Sequence, residues 1–323
     1  MKTRTRVVLL AAVLAAAIPL AGCTPPEAPV ADESGPVELA SLQFVNPLPG
    51  TPIWGQIGEC IGEQAEAAGL EFTESGPPVA QAGDPTVMIQ QIQDATAAGV
   101  DAIITFPASA AFGPVLQDAQ AAGVVTATLY GDGSPESGAT VNAGVDWATI
   151  AAQYVDAIAA QPGEQVVGLV AEAPTGVGKS WIDGVKAAAE ATDNVTIVGE
   201  VFIGSDASKA LPEVTNLLSA YPEINIVATN TGFTTAGAVA AIESLGLRDS
   251  VHLLTINNGN GGPEAVRDGI AIGLFLQDLC DLGKRTVDGV LAAAAGEDVP
   301  LIQVNAVVAT KENLDEYLDK GFN

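Results

Sequence analysis

From Glu38 onward the chain alternates short apolar runs with amphipathic stretches, and that alternation constrains its fold more than any other feature. Strands are predicted over 39–45, 70–73, 101–106 and 124–129, with helices over 53–68, 85–98 and 111–122 between them. Gly69, Gly99 and Gly123 stop these helices, while Asp84 and Pro85 supply an N-cap and a first-turn proline. A second series has strands at 166–171, 195–202, 224–228 and 251–256, and helices near 179–192, 208–220, 234–245 and 263–267. The stretches AGVDAIITFPASAAFGPVLQDAQAAG and PEINIVATNTGFTTAGAVAAIESLG read as one repeated unit of strand, short turn and Gly-stopped helix. Strands that alternate with helices form parallel sheets covered on both faces. Two such series give an α/β chain of two doubly wound parallel-sheet lobes. A run at 270–276, a helix at 279–295, a strand at 301–308 and a helix at 312–320 complete it.

The start of the chain reads differently. Lys2, Arg4 and Arg6 precede an uncharged apolar run from Val7 to Leu20, closed by Leu20-Ala21-Gly22-Cys23. A basic start, an apolar middle and small residues at the end make a secretory signal over 1–22. The apolar run is shorter than the ~20 residues that span a bilayer as a helix. The small residues before Cys23 resemble the bacterial lipoprotein signal, which implies a lipidated Cys23, an extracytoplasmic protein anchored to the cell membrane, and a flexible Pro-rich tether over 23–37.

Charge and composition then exclude several classes. Without the signal, the chain has 9 basic against 39 acidic side chains, a formal charge of −30. Such a surface repels phosphate backbones, so no nucleic-acid partner is expected. His252 is the lone histidine and lies inside an apolar run, so no metal site or histidine-based triad is expected, and no cofactor. Cys60 and Cys280 are either one disulfide or two buried thiols. Residues 173–180, APTGVGKS, satisfy a relaxed phosphate-binding-loop pattern between a strand and a helix. The runs that end TFP, TLY, ATN and TIN lack the acidic residue that would hold Mg²⁺, and an extracytoplasmic protein meets no ATP pool. The stretch is read as a Gly-rich turn with Lys179 as a candidate ligand contact.

Open α/β sheets bind ligands beyond the carboxyl ends of their strands. The residues that follow the apolar runs are Asn46, Phe106, Tyr130, Asn230, Asn257 and Gln277, with Trp54 near the same rim. Amides offer donors and acceptors together, as hydroxyls do, and aromatic faces suit the C–H face of a sugar ring.

With these residues in view, the chain resembles the ribose-type (type I) periplasmic sugar-binding proteins of ABC importers. DPTVMIQQIQDATAAGVDAIITFPA, VATNTGFTTAGAVAAIESLG and LLTINNGNGGPEAVRDG carry the resemblance, which covers roughly residues 38–310. It implies a three-stranded hinge, with crossings near 143–146, 275–278 and 303–306. The N-terminal lobe would be 38–144 plus 277–304, and the C-terminal lobe 145–276 plus 305–323. It implies that Asn46 and Trp54 line the first lobe's side of the cleft. Tyr130 stands where such sugar binders often carry Asp followed by Arg, so a charge-assisted grip is missing. Lys179 or Trp181 falls near a position often held by a hydroxyl-binding Arg. Asn230 matches a ligand-contacting Asn, Asn257 replaces a frequent Asp, and Gln277 matches a frequent ligand-contacting polar residue at the crossing near 275–278. The resemblance also puts Cys60 and Cys280 on helices of the first lobe and so implies a Cys60–Cys280 disulfide.

The implied function is capture of a small neutral sugar, polyol or similar solute by lobe closure, without turnover, for delivery to a membrane ABC permease. The alternative is a receptor that passes its closed state to a sensor kinase or chemoreceptor.

Overall fold

The computed structural model describes residues 37–131, 137–204, 206–257 and 259–323. The signal over 1–22, Cys23 and the tether up to residue 36 lie outside the described residues. The chain begins with β1 (Ser41–Val45), α1 (Pro52–Ala67), β2 (Glu71–Ser75), α2 (Pro85–Ala98), β3 (Ala102–Thr105), α3 (Phe112–Ala121), β4 (Val125–Gly131) and β5 (Val141–Gly144). It continues with α4 (Trp147–Ala159), β6 (Gln165–Ala171), α5 (Gly176–Glu190), β7 (Val195–Phe202), α6 (Ala210–Ala220) and β8 (Ile226–Thr229). Next come α7 (Thr235–Ser244), β9 (His252–Ile256), α8 (Gly262–Arg267) and β10 (Ala271–Gln277). It ends with α9 (Leu279–Ala294), β11 (Ile302–Gln303), β12 (Ala306–Ala309) and α10 (Leu314–Asp319).

Two six-stranded sheets result. The first runs β11-β5-β4-β3-β1-β2 and is parallel throughout. The second runs β12-β10-β9-β8-β6-β7 and is parallel except for β12, which lies antiparallel on β10. The period of two along each strand divides its side chains between two cores. On the first sheet, Leu42, Phe44 and Ile104 face Ile57 and Ile61 of α1 and Leu282 and Val290 of α9. Val45 and Ile103 face Met88 and Ile92 of α2 and Leu116 of α3. On the second, Leu169 and Ala228 face α4 and α5, while Val170 and Val227 face α6 and α7.

The helix signals act where the sequence puts them. Asp84 accepts a hydrogen bond from the Thr86 amide, and Gly99 closes α2 at φ +80°.

Two elements escaped the sequence reading. One is β5; the other is α4, whose buried Trp147, Ile150, Ala151, Tyr154, Val155 and Ile158 keep helical spacing behind an Asp146 cap. The strand expected over 301–308 is corrected to two. Its first residues pair with β5 in the first sheet and its last with β10 in the second, because the chain crosses between the sheets at Val304 and Asn305.

The chain passes between sheets after β5, after β10 and between β11 and β12, and these connectors lie side by side. The Val304 amide donates to the Gly144 carbonyl at 3.0 Å, and the Asp278 amide to the Asn305 carbonyl at 2.8 Å. Cys60 of α1 and Cys280 of α9 form a disulfide with Cα atoms 5.4 Å apart.

Candidate functional site

Each sheet reverses its winding between its first and third strand in chain order, β1/β3 and β6/β8. Ligands of doubly wound sheets sit beyond the carboxyl ends at such points. On the first sheet this edge carries an aromatic set. Trp54 lies edge-on to Phe106 with ring centroids 5.5 Å apart, and edge-on to Tyr130 at 6.5 Å. All three rings are half-buried.

On the second sheet the same edge carries amides. After β8, the Thr231 amide donates to Thr229 Oγ1 at 3.2 Å, closing a tight turn around Asn230. Asn230 is half-buried, and its Oδ1 is buried without a hydrogen-bond partner. After β9, Asn257 adopts φ +56°, and its Oδ1 accepts from the Gly259 amide at 3.2 Å. Its amide lies so close to Gly232 that a Cβ there would meet Oδ1 at 2.4 Å, so the turns after β8 and β9 pack on each other. At the end of β10, Gln277 is 2 % exposed and its Nε2 is buried without a partner.

Tyr130 joins the two sides. Its backbone turns at φ +59° as β4 ends, and its ring packs against a core cluster of each sheet. Its hydroxyl donates to Gln277 Oε1 at 2.6 Å. Burial pushes the phenol up to about 12, against the opposing pull of the Gln277 hydrogen bond.

Three of the expected contacts are engaged by the protein itself. Asn46 is 0 % exposed, and its amide is used by the protein: Nδ2 donates to the Trp54 carbonyl and to Glu74 Oε1, each at 2.9 Å, while Oδ1 accepts from the Leu48 amide. Asn46 therefore anchors the turn that carries Trp54. Lys179 is exposed and pairs with Asp183 one helical turn along α5. Trp181 is 0 % exposed, with its ring edge-on to Tyr154 in the second sheet's core. The two positions are split by helix geometry, Lys179 on the outer face of α5 and Trp181 on the inner.

Other side chains were missed. Phe233, three residues after Asn230, is 46 % exposed beside the turn that packs on Asn257. Glu172 directly follows β6 at the switch point and brings a carboxylate to the rim; the rule that found Asn230 would have found it. Trp147 and Tyr154 were lost with α4. The Tyr154 hydroxyl donates to the Thr229 carbonyl at 2.9 Å and so braces the Asn230 turn.

His252 opens β9 at the opposite end of its sheet. Among the described residues no cluster of three His, Cys, Asp or Glu side chains could hold a metal, and no helix is long and apolar enough to cross a membrane.

A family model described as a periplasmic binding protein domain matches residues 42–298. No curated protein matches the sequence significantly. Among solved structures, a periplasmic ribose ABC transporter protein from Conexibacter woesei superposes with a TM-score of 0.78 at 19% identity, covering 88% of this chain and 96% of that one. A glucose-galactose binding protein from Geobacillus stearothermophilus gives 0.76 at 18% identity, covering 86% and 99%. An ABC transporter solute-binding protein from Mycobacterium smegmatis, with bound glycerol, gives 0.70 at 23% identity over 86% and 96%. The shared architecture is the type I periplasmic-binding-protein fold.

Proposed function

The chain belongs to the periplasmic binding protein domain family, and from that premise we propose that it captures a small neutral sugar or polyol between two closing lobes and delivers it to a membrane ABC permease. The lobes would be 38–144 with 277–304 and 145–276 with 305–323, swinging about the three adjacent connectors. Cys23 would be lipidated and residues 23–37 would tether the binder outside the cytoplasm, within reach of its membrane partner.

One observation carries the reading: an aromatic set at the carboxyl edge of one sheet is joined by Tyr130 to an amide set at the same edge of the other. Aromatic faces take the C–H face of a sugar ring, while Asn230, Asn257 and Gln277 take its hydroxyls. The buried Asn230 Oδ1 and Gln277 Nε2 carry no protein partner, and one is an acceptor and the other a donor. A hydroxyl-bearing solute answers both.

A thermal-shift screen of the mature protein against pentoses, hexoses, polyols, nucleosides and amino acids tests this. A solute at 100 times its Kd adds about 2.7 kcal/mol of stability, a shift of a few degrees for a protein of this size. Sugars or polyols should produce it, and Asn230→Ala should abolish it while the free protein stays folded. Shifts from amino acids or nucleosides alone would overturn the ligand class.

A further inference from the structure

The solute's hold on Gln277 depends on which end of the amide faces it, and Tyr130 controls that choice. We propose that Tyr130 is a positioning residue: by donating to Gln277 Oε1 it holds the Nε2 donor toward the solute, so the site selects solutes with an acceptor oxygen, hydroxyl or carbonyl, beside the crossing after β10. The inference rests on the solute-binding reading above and adds an atom-level selection rule to it.

A phenol has one proton to give, and here it goes to Oε1 at 2.6 Å. That leaves both Nε2 protons of a side chain that is 2 % exposed without a protein partner. A buried donor in that condition is costly unless something supplies an acceptor. The opposite amide orientation would meet Tyr130 only if the phenol accepted. The raised pKa, at about 12, keeps the phenol protonated throughout the physiological range, so its proton stays available to Oε1.

The backbone supports the same role. Tyr130 takes the left-handed conformation at φ +59°, which side chains with a Cβ adopt rarely. That turn carries the ring from the end of β4 to lie against a core cluster of the second sheet as well as the first. Gln277 ends β10 one residue before the connector at Asp278. Relative movement of two lobes is smallest beside their connectors, so the amide is oriented before a solute arrives. Such pre-organisation removes an ordering cost from binding.

The test has a solute-free arm and a solute arm. In ¹⁵N spectra of the mature protein, the Gln277 side-chain NH2 pair is the one missing from Gln277→Leu. Tyr130→Phe should move that pair in the free protein. D-Ribose, D-glucose, D-galactose, D-allose and glycerol are then titrated, each sugar that binds being compared with its monodeoxy analogues. Wild type should disfavour one analogue by about tenfold, the worth of one net hydrogen bond. In Tyr130→Phe that preference should fall to within twofold, and adding Gln277→Leu should change it no further. Gln277→Glu, which can still accept from Tyr130 but has no Nε2 donor, should lose the same preference.

The proposal is overturned if Tyr130→Phe leaves the Gln277 pair unmoved, or weakens parent and analogues equally. Wild-type preference in Gln277→Glu would also overturn it. If none of the five solutes binds and only amino acids or nucleosides shift melting in the screen above, the solute class is wrong, and the solute-free arm alone decides the Tyr130–Gln277 pairing.

Discussion

A Cβ placed on Gly144 would lie 2.0 Å from the carbonyl oxygen of Gly131, where β4 and β5 close on each other just before the chain leaves the first sheet. Backbone cannot yield there as the end of a flexible side chain would. Gly144→Ala should therefore destabilise the protein by about 3 kcal/mol, read from urea unfolding. Asp101 shows the opposite use of a single residue. Its Oδ2 accepts from the Ala40 and Ser41 amides and from the Ser41 hydroxyl, each at 2.9 Å, tying the start of β1 to the start of β3. The Ala40 amide contributes most to holding this carboxyl below its ordinary value, with partial burial opposing and Ser41 assisting. A carboxyl depressed in the folded state stabilises above its unfolded pKa of about 3.9, and that contribution is lost as pH falls through the folded value. The stability gap between wild type and Asp101→Asn should be full at pH 6 and close progressively below pH ~4. A gap unchanged at pH 2.5 would contradict the assignment. Neither role could be seen in the sequence, where Gly144 ends an unread strand and Asp101 looks like any carboxylate at a strand start.

At the scale of elements, α1 and α9 are far apart in the chain yet share one core cluster and one covalent link. Cys60 and Cys280 are separated by 220 residues, and a loop of that size loses much entropy when closed in the unfolded chain. Replacing both by Ser should lower stability by about 2–5 kcal/mol, measured against the oxidised protein by chemical denaturation. Most elements were legible because their signals are local. Asp84-Pro85 and Gly99 bracket α2 in the text as they do in space. Helix α4 was equally legible, with Asp146 as its cap and apolar residues at helical spacing, and was overlooked. The division of 301–308 was not legible. Its residues keep one extended apolar character across Val304-Asn305, and the change of sheet is set by partners, β5 for one half and β10 for the other. The candidate site divides in the same way. Strand ends pointed to Asn230, Asn257 and Gln277, but the same rule chose Asn46, whose amide is used up by Trp54, Glu74 and Leu48.

For the whole molecule, charge outweighs ion pairing. The full chain carries a formal charge of −27. The ion pairs among the described residues sit on side chains roughly a third or more exposed, where each contributes ~0–1 kcal/mol. Self-repulsion of the acidic surface then dominates, so raising NaCl from about 10 to 150 mM should raise the melting temperature, because the Debye length contracts to about 8 Å. A fall in melting temperature would mean that the ion pairs matter more than the net charge. The alternation of apolar runs and capped helices, the two-lobed α/β plan and the amides at several strand ends were all present in the amino-acid order, because periodicity, capping and residue type act over a few neighbouring residues. Tertiary structure alone decided that Trp181 faces a core while Lys179 faces solvent, that Asn46 serves a turn, and that Tyr130 reaches across to orient Gln277. Those outcomes depend on which distant segments meet, and a strand-end residue reads the same in the sequence whether its partners are its own backbone or a solute.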